Sequence, residues 1–209
     1  MRKVTAIRAG RGQGRRVNVF LDGKFAFSLG AEVAVKEGLQ VGQELSTTQI
    51  GALSKSDHFH RCLNAAAHYL RYRPRSEFEL REGLHRRGFD DSIEAVIAEL
   101  KERGLVDDMA FAQFWKDNRE SFSPRSQQLT RLELRLKGVA NEIIDQVVDA
   151  VNDEDSAYRA ALGKARNLSL SDYQSFHRRL GGYLKRRGFS YQVINHAVEQ
   201  IWQERGGSG

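Results

Sequence analysis

Leu84-His-Arg-Arg-Gly88-Phe89 returns fifty residues later as Leu134-Arg-Leu-Lys-Gly138-Val139, and after fifty more as Leu184-Lys-Arg-Arg-Gly188-Phe189. The match extends outward without gaps. Arg75-Ser76 corresponds to Arg125-Ser126, Ile93 to Ile143 and Val193, and Ile97 to Val147 and Ala197. The only two prolines, Pro74 and Pro124, keep the same spacing. A fixed period of this size is the signature of tandem supersecondary units. Each unit reads as three helices. A leading helix (roughly 59–72, 109–121 and 155–167) is followed by a break, enforced by proline in the first two units. A second helix, such as Glu77 to Arg87, then ends at a glycine suited to the left-handed C′ position. An amphipathic third helix follows, with Ile93, Val96, Ile97 and Leu100 on its apolar face in the first copy. Asp90 or Asp91, Asn141 and Ser190 are placed to cap that third helix, and Asp107-Asp108 the next leading helix.

The first 45 residues follow a different period. Val17–Leu21 and Phe25–Leu29 alternate, with Asp22-Gly23 between them as a type I′ hairpin pair. Val4–Ile7 reads as a third strand, Glu32–Lys36 as a short helix stopped by Gly38, and Gly42–Leu45 as a further short strand. So small a sheet is marginal alone and must pack on a helix or a partner. The expected fold is mainly α: three tandem three-helix repeats forming an elongated curved array, with a small N-terminal β-rich module. The expected divisions are 1–47 for the module, 48–106, 107–152 and 153–205 for the repeats, and 206–209 as a cloning linker.

Composition removes several classes. The chain has 209 residues, 33 Lys and Arg against 27 Asp and Glu, and a net charge of +6. No apolar run approaches the ~20 residues a membrane span needs. Cys62 is the single cysteine, so neither an internal disulfide framework nor a four-cysteine zinc site forms. Met1-Arg-Lys leads into no apolar signal core, and a cytoplasmic protein is the simplest expectation. Residues 1–50 carry eight basic and four acidic groups, and residues 153–209 nine and six. The segments between are balanced, so contact with a polyanion is permitted but not demanded.

The residues also carry a family resemblance. Tyr69-Leu-Arg-Tyr-Arg-Pro-Arg-Ser-Glu-Phe-Glu-Leu-Arg81 resembles the helix-to-helix signature of the RecX regulatory proteins. Arg86-Arg-Gly-Phe-Asp90, Ile97–Asp108, and Phe111-Ala-Gln-Phe-Trp115 with Arg119 continue the match. The hairpin Val17–Phe27 resembles the β extension found in many members. The third repeat departs from the pattern, with no proline and Leu168-Ser-Leu-Ser-Asp172 at the break. The resemblance implies a non-enzymatic modulator of the RecA recombinase. Such proteins bind in the groove of the RecA–DNA filament and restrain its growth, ATP hydrolysis, strand exchange and coprotease activity. Some members also contact DNA.

The candidate contact residues are mostly cations. Arg87, Lys137 and Arg187 recur once per repeat, either completing the helix macrodipole or forming a ladder toward the filament. Arg71, Arg73 and Arg75 crowd the first inter-helix turn around Tyr72, the aromatic best placed for an interface. Arg125 repeats Arg75, Arg131 repeats Arg81, and Lys185-Arg186-Arg187 form a basic run. Phe111, Phe114, Trp115 and Tyr69 have core spacing.

His58, His60 and Cys62 do not converge as metal ligands, since a spacing of two on a helix turns side chains about 200° apart. Gly10-x-Gly12-x-Gly14 lacks the Gly-Lys-Ser/Thr ending of a phosphate loop. No nucleophile, acid–base or metal constellation appears, so neither enzyme activity nor a cofactor is expected. The alternative is a direct DNA-binding protein using the repeats as helix-turn-helix-like modules. A generic helical scaffold is a third reading. A stacked array needs no second copy, so a monomer is expected.

Overall fold

The computed structural model describes residues 1–10 and 15–206. The glycine-rich loop singled out in the sequence falls largely on residues 11–14, and the tail on 207–209; both stretches lie outside the described residues. The elements are β1 (Arg2–Ala9), β2 (Arg16–Leu21), β3 (Lys24–Gly30), α1 (Ala31–Lys36), β4 (Glu44–Leu45), and helices α2 (Thr47–Leu70) to α10 (Tyr191–Glu204). The chain forms two compact units. One holds Met1–Arg73 with Leu80–Leu105, and the other Pro74–Glu79 with Val106–Gly209. The class is therefore mainly helical with a small N-terminal sheet, as expected.

The four strands are antiparallel in the order β3-β2-β1-β4. Asp22 (φ 52°) and Gly23 (φ 81°) make the hairpin turn, both in the left-handed region a type I′ turn requires. The Asp22 carboxylate accepts the Lys3 amide at 3.0 Å and holds Arg2. These two bonds hold it below its ordinary value. Val4, Val19, Leu21 and Leu29 are buried on one face of the sheet, against Val33, Leu45 and Leu53. Each such side chain contributes roughly 1.5–3 kcal/mol by burial.

The leading helix of the first repeat starts earlier than the sequence spacing suggests. Ser46 and Gln49 form a reciprocal capping box, satisfying two orphan donors of a 24-residue α2. Leu53 near its start joins the sheet core. Cys62, Ala65 and Ala66 are buried farther along. One helix thus serves both the module and the first helical triad. Buried Asp57 on α2 ties the two together. It accepts the Gly30 amide at 2.6 Å and pairs with Arg16 at 3.1 Å.

The remaining helices are α3 (Glu77–His85), α4 (Asp90–Glu102), α5 (Asp108–Phe122), α6 (Gln127–Leu136), α7 (Asn141–Val148), α8 (Asp153–Ala165) and α9 (Tyr173–Lys185). The second and third triads each bury a separate apolar core. One is built on Phe111, Leu134, Ile144 and Val148, the other on Phe176, Leu180, Leu184 and Trp202. The recurring glycines end α3, α6 and α9 in the same way. Gly88, Gly138 and Gly188 have φ of 74°, 74° and 83°. The residue after each returns a hydrogen bond to Leu84, Leu134 or Leu184 at 3.3, 3.2 and 3.5 Å. This is the Schellman arrangement, with a buried Phe89, Val139 or Phe189 covering the helix end.

The expected caps hold only in part. Ser190 accepts the Val193 amide, and Asp107 those of Met109 and Ala110. The N-caps of α4 and α7 are instead Phe89 and Ala140, neither with a side-chain cap. The preceding Schellman turn closes so near the next helix that Asp90 and Asn141 are already helical. Asn141 accepts from Arg135 Nε at 3.1 Å, and Asp90 pairs with His85. Asp108 is likewise helical, and its carboxylate accepts the Glu77 amide at 2.8 Å.

The His85–Asp90 pair sets a pH signature. The hydrogen bond and charge of Asp90 hold the imidazole above its ordinary value, and His85 holds the carboxylate below its own. A raised imidazole stabilises below its unfolded pKa, and this is lost as pH rises through the folded one. A depressed carboxylate stabilises above its unfolded pKa, and this is lost as pH falls through the folded one. The pair therefore contributes between the carboxylate and imidazole ranges. In an NMR titration His85 is expected to titrate above 6.5, its ordinary value, and to fall back toward it in Asp90→Asn. An unshifted His85 in the parent protein would remove the pair.

Candidate functional site

The expected contact residues divide by what holds them. Arg71, Tyr72, Arg87, Lys185 and Arg186 are exposed, with Tyr72 at 69%. Tyr72 meets the His68 ring in a T-shaped contact, with ring centroids 5.1 Å apart. Arg73 and Arg75 flank Pro74 and are half-buried. Arg81 pairs with Glu94, and Arg131 bridges Asp145 and Asp149. Arg125 pairs with Glu133.

The once-per-repeat cations each sit on an aromatic ring. Arg87 lies 5.5 Å from the centroid of Tyr69, Lys137 lies 4.2 Å from Trp115, and Arg187 lies 3.9 Å from Tyr183. Such stacking is worth about 0.5–2 kcal/mol, depending on desolvation. Each cation also follows the last turn of its helix, where it complements the macrodipole.

These positions gather at repeated junctions. Ser76 Oγ accepts the Glu79 amide at 3.1 Å and donates to the Lys137 carbonyl at 2.6 Å. Fifty residues on, Ser126 Oγ accepts the Leu129 amide at 3.1 Å, while the Ser126 amide donates to the Arg187 carbonyl at 3.0 Å. The next residue in each copy, Glu77 or Gln127, gives its amide to Asp108 or Asp153 at 2.8 and 2.7 Å. Each serine thus caps its own helix and docks on the Schellman turn one repeat later.

Around these junctions Arg125, Lys137 and Arg187 join residues that the sequence-based contact set does not contain. Glu133 Oε2 accepts from both Trp115 Nε1 and Arg119 Nε at 2.8 Å, and its other oxygen pairs with Arg125. Lys137 Nζ pairs with Glu79 at 2.6 Å. Burial pushes Arg119 and Arg125 below the ordinary arginine value, and for Arg125 the charges of Arg119 and Arg187 add to this. Among the described residues Arg187 Nε is buried without a hydrogen-bond partner. Glu133 and Arg119 were hard to find because their partners lie on other helices. The available signal was Glu133 itself, which stands where the other copies have Gly83 and Tyr183.

No group of three or more His, Cys, Asp or Glu side chains that could hold a metal ion assembles among the described residues. His58 Nδ1 turns to Ser92 Oγ at 2.8 Å, His60 Nε2 lies 3.3 Å from Lys36 Nζ, and Cys62 is buried, its thiol pushed up to about 11 by desolvation. No helix among the described residues is long and apolar enough to cross a membrane.

Residues 2–46 match the family model of the regulatory protein RecX N-terminal domain, and residues 62–100 that of the first three-helix domain of RecX. The regulatory protein RecX of Clostridium botulinum is 30% identical, with 96% of each chain covered. That of Bacillus licheniformis is 31% identical over 94% of this chain and 76% of its own. A crystal structure of a regulatory protein RecX shares the fold with a TM-score of 0.65 at 24% identity, covering 100% of this chain and 95% of its own. RecX from Lactobacillus salivarius does so at 0.57 and 23% identity, over 70% of this chain and 97% of its own. Two RecX domains matched in order, and relatives 30% identical almost from end to end, place this chain in the RecX regulatory protein family.

Proposed function

We propose that this protein binds the RecA–DNA filament as a monomer and chiefly inhibits its recombinase, ATPase and coprotease activities, without chemistry of its own. The supporting observation is near-full-length similarity to proteins named regulatory protein RecX. Contacts repeated on successive units would add as linked binding events, giving avidity without a deep pocket. The contact set is Arg71, Tyr72, Arg73, Arg75, Arg81, Arg87, Arg125, Arg131, Lys137, Lys185, Arg186 and Arg187. The working divisions are 1–47, 48–106, 107–152 and 153–205. Direct DNA binding as the main activity is the weaker reading, because the central segments carry no excess of positive charge.

The test is RecA-catalysed ATP hydrolysis on single-stranded DNA at physiological salt, with this protein titrated in. Hydrolysis is expected to fall at well below one regulator per RecA. An unchanged rate at equimolar regulator removes the proposal.

A further inference from the structure

The two junctions each dock a serine on the next Schellman turn but are not balanced alike. At the first, Lys137 stacks on Trp115 and its charge is met by Glu79 at 2.6 Å. At the second, Arg187 occupies the position of Lys137, and Leu129 stands where Glu79 stood. The cation is kept while its acid is replaced by an aliphatic side chain. Arg187 stacks on Tyr183 at 3.9 Å and has no carboxylate partner among the described residues.

Two more guanidiniums join it. The Ser126 amide bonded to the Arg187 carbonyl brings Arg125 close to Arg187 in space, near enough for the charge of Arg187 to act on it. Arg125 and Arg119 both lean on the single carboxylate of Glu133. Two arginines therefore share one acid, and Arg187 beside them has none. Partly buried like charges of this kind repel, and an unpaired buried N–H costs further free energy. At the first junction the corresponding cation is neutralised by Glu79, and at the second it is not. A planar fork of N–H donors without an acceptor fits an oxyanion.

We propose that Arg187, Arg125 and Arg119 form an oxyanion site that takes a phosphate group, supplied by the backbone of a DNA strand. The site extends the filament reading, but its test uses DNA alone, so either can fail without the other. Arg187 provides the unpaired donors. Glu133 holds Arg119 and Arg125 in place while leaving the cluster two charges in excess.

The test pairs two variants. Arg187→Ala removes the donor. Leu129→Glu restores the acid seen at the first junction and neutralises Arg187 from within, with the fold kept. Binding of a fluorescein-labelled single-stranded oligonucleotide is followed by anisotropy without RecA, over a range of salt. Melting temperature is recorded for each protein, with and without inorganic phosphate.

Both variants are expected to weaken oligonucleotide binding about tenfold. Both should flatten the log–log salt slope by about 0.7 for the lost phosphate contact. Leu129→Glu is expected to melt no lower than the parent. Suppose instead that inorganic phosphate raises the parent's melting temperature, Leu129→Glu abolishes this, and oligonucleotide binding is untouched. The phosphate site then stands, with free phosphate rather than DNA as its source. If Leu129→Glu, still folded, changes neither DNA binding nor the response to phosphate, the cluster is structural and the proposal fails.

Discussion

Gly138→Ala is expected to destabilise the protein by about 2–5 kcal/mol, whereas Gly88→Ala at the equivalent position should cost only about 1–2 kcal/mol. Both glycines have φ of 74°, so both variants carry the left-handed penalty of about 1–2 kcal/mol. They differ in what a methyl group would meet. At Gly88 nothing lies within 4 Å, but at Gly138 the new carbon would approach Phe78 Cγ to 2.7 Å and its Cβ more closely still. The Cβ is fixed by the backbone of α3, so a rotamer change cannot relieve the overlap, and overpacking adds about 1–3 kcal/mol. Gly188→Ala should behave like Gly138→Ala, since its carbon would meet Ser126 Oγ at 2.5 Å and Leu129 Cβ at 2.8 Å. Urea midpoints of the three variants check this. Equal losses at Gly88 and Gly138 would mean that the Schellman turns bear no docked helix.

The second large effect is expected at Phe176→Ala, about 3–5 kcal/mol. Phe176 is 1% exposed and meets Trp202 with ring centroids 5.2 Å apart. Removing the ring strips the centre of a core that also holds Leu180, Leu184 and Ile201. The sheet has a separate core on Val4, Val19 and Leu21, so the damage should be local. Native-state hydrogen exchange should lose protection across α8, α9 and α10 while the amides of β1 to β3 keep theirs. Uniform loss over all these elements would show that the cores unfold as one unit.

How far the sequence could be read follows from the range of each interaction. The helix ends were legible because a Schellman turn is a contract among six consecutive residues, with a glycine only one position tolerates. The Asp22-Gly23 hairpin was legible for the same reason. The caps at Asp90 and Asn141 were misread because capping depends on where the previous turn closes, a matter of one residue. The second junction was legible in outline, through Arg125 and Arg187, but not in its balance. Glu133 reaches Arg119 from fourteen residues away, and the missing acid shows only when Leu129 is aligned with Glu79. Nothing in charge patterning along one helix distinguishes a solvated arginine from one whose carboxylate lies on another helix.

The serine docking contacts also set the third copy apart. Ser76 and Ser126 each stand at the first position of a helix that seats the following repeat. In the third copy α9 begins four residues earlier, and the residue aligned with those serines is Phe176, turned into its own core. Asp172 caps that extra turn with bonds to Gln174 and Ser175, spending its oxygens locally. At the position aligned with Ser76 and Ser126 the third copy therefore presents a buried ring in place of a hydroxyl. A serine contact of the earlier kind would need α9 to shorten by a turn and Phe176 to yield its place, so in the third copy the longer helix and the docking hydroxyl exclude each other.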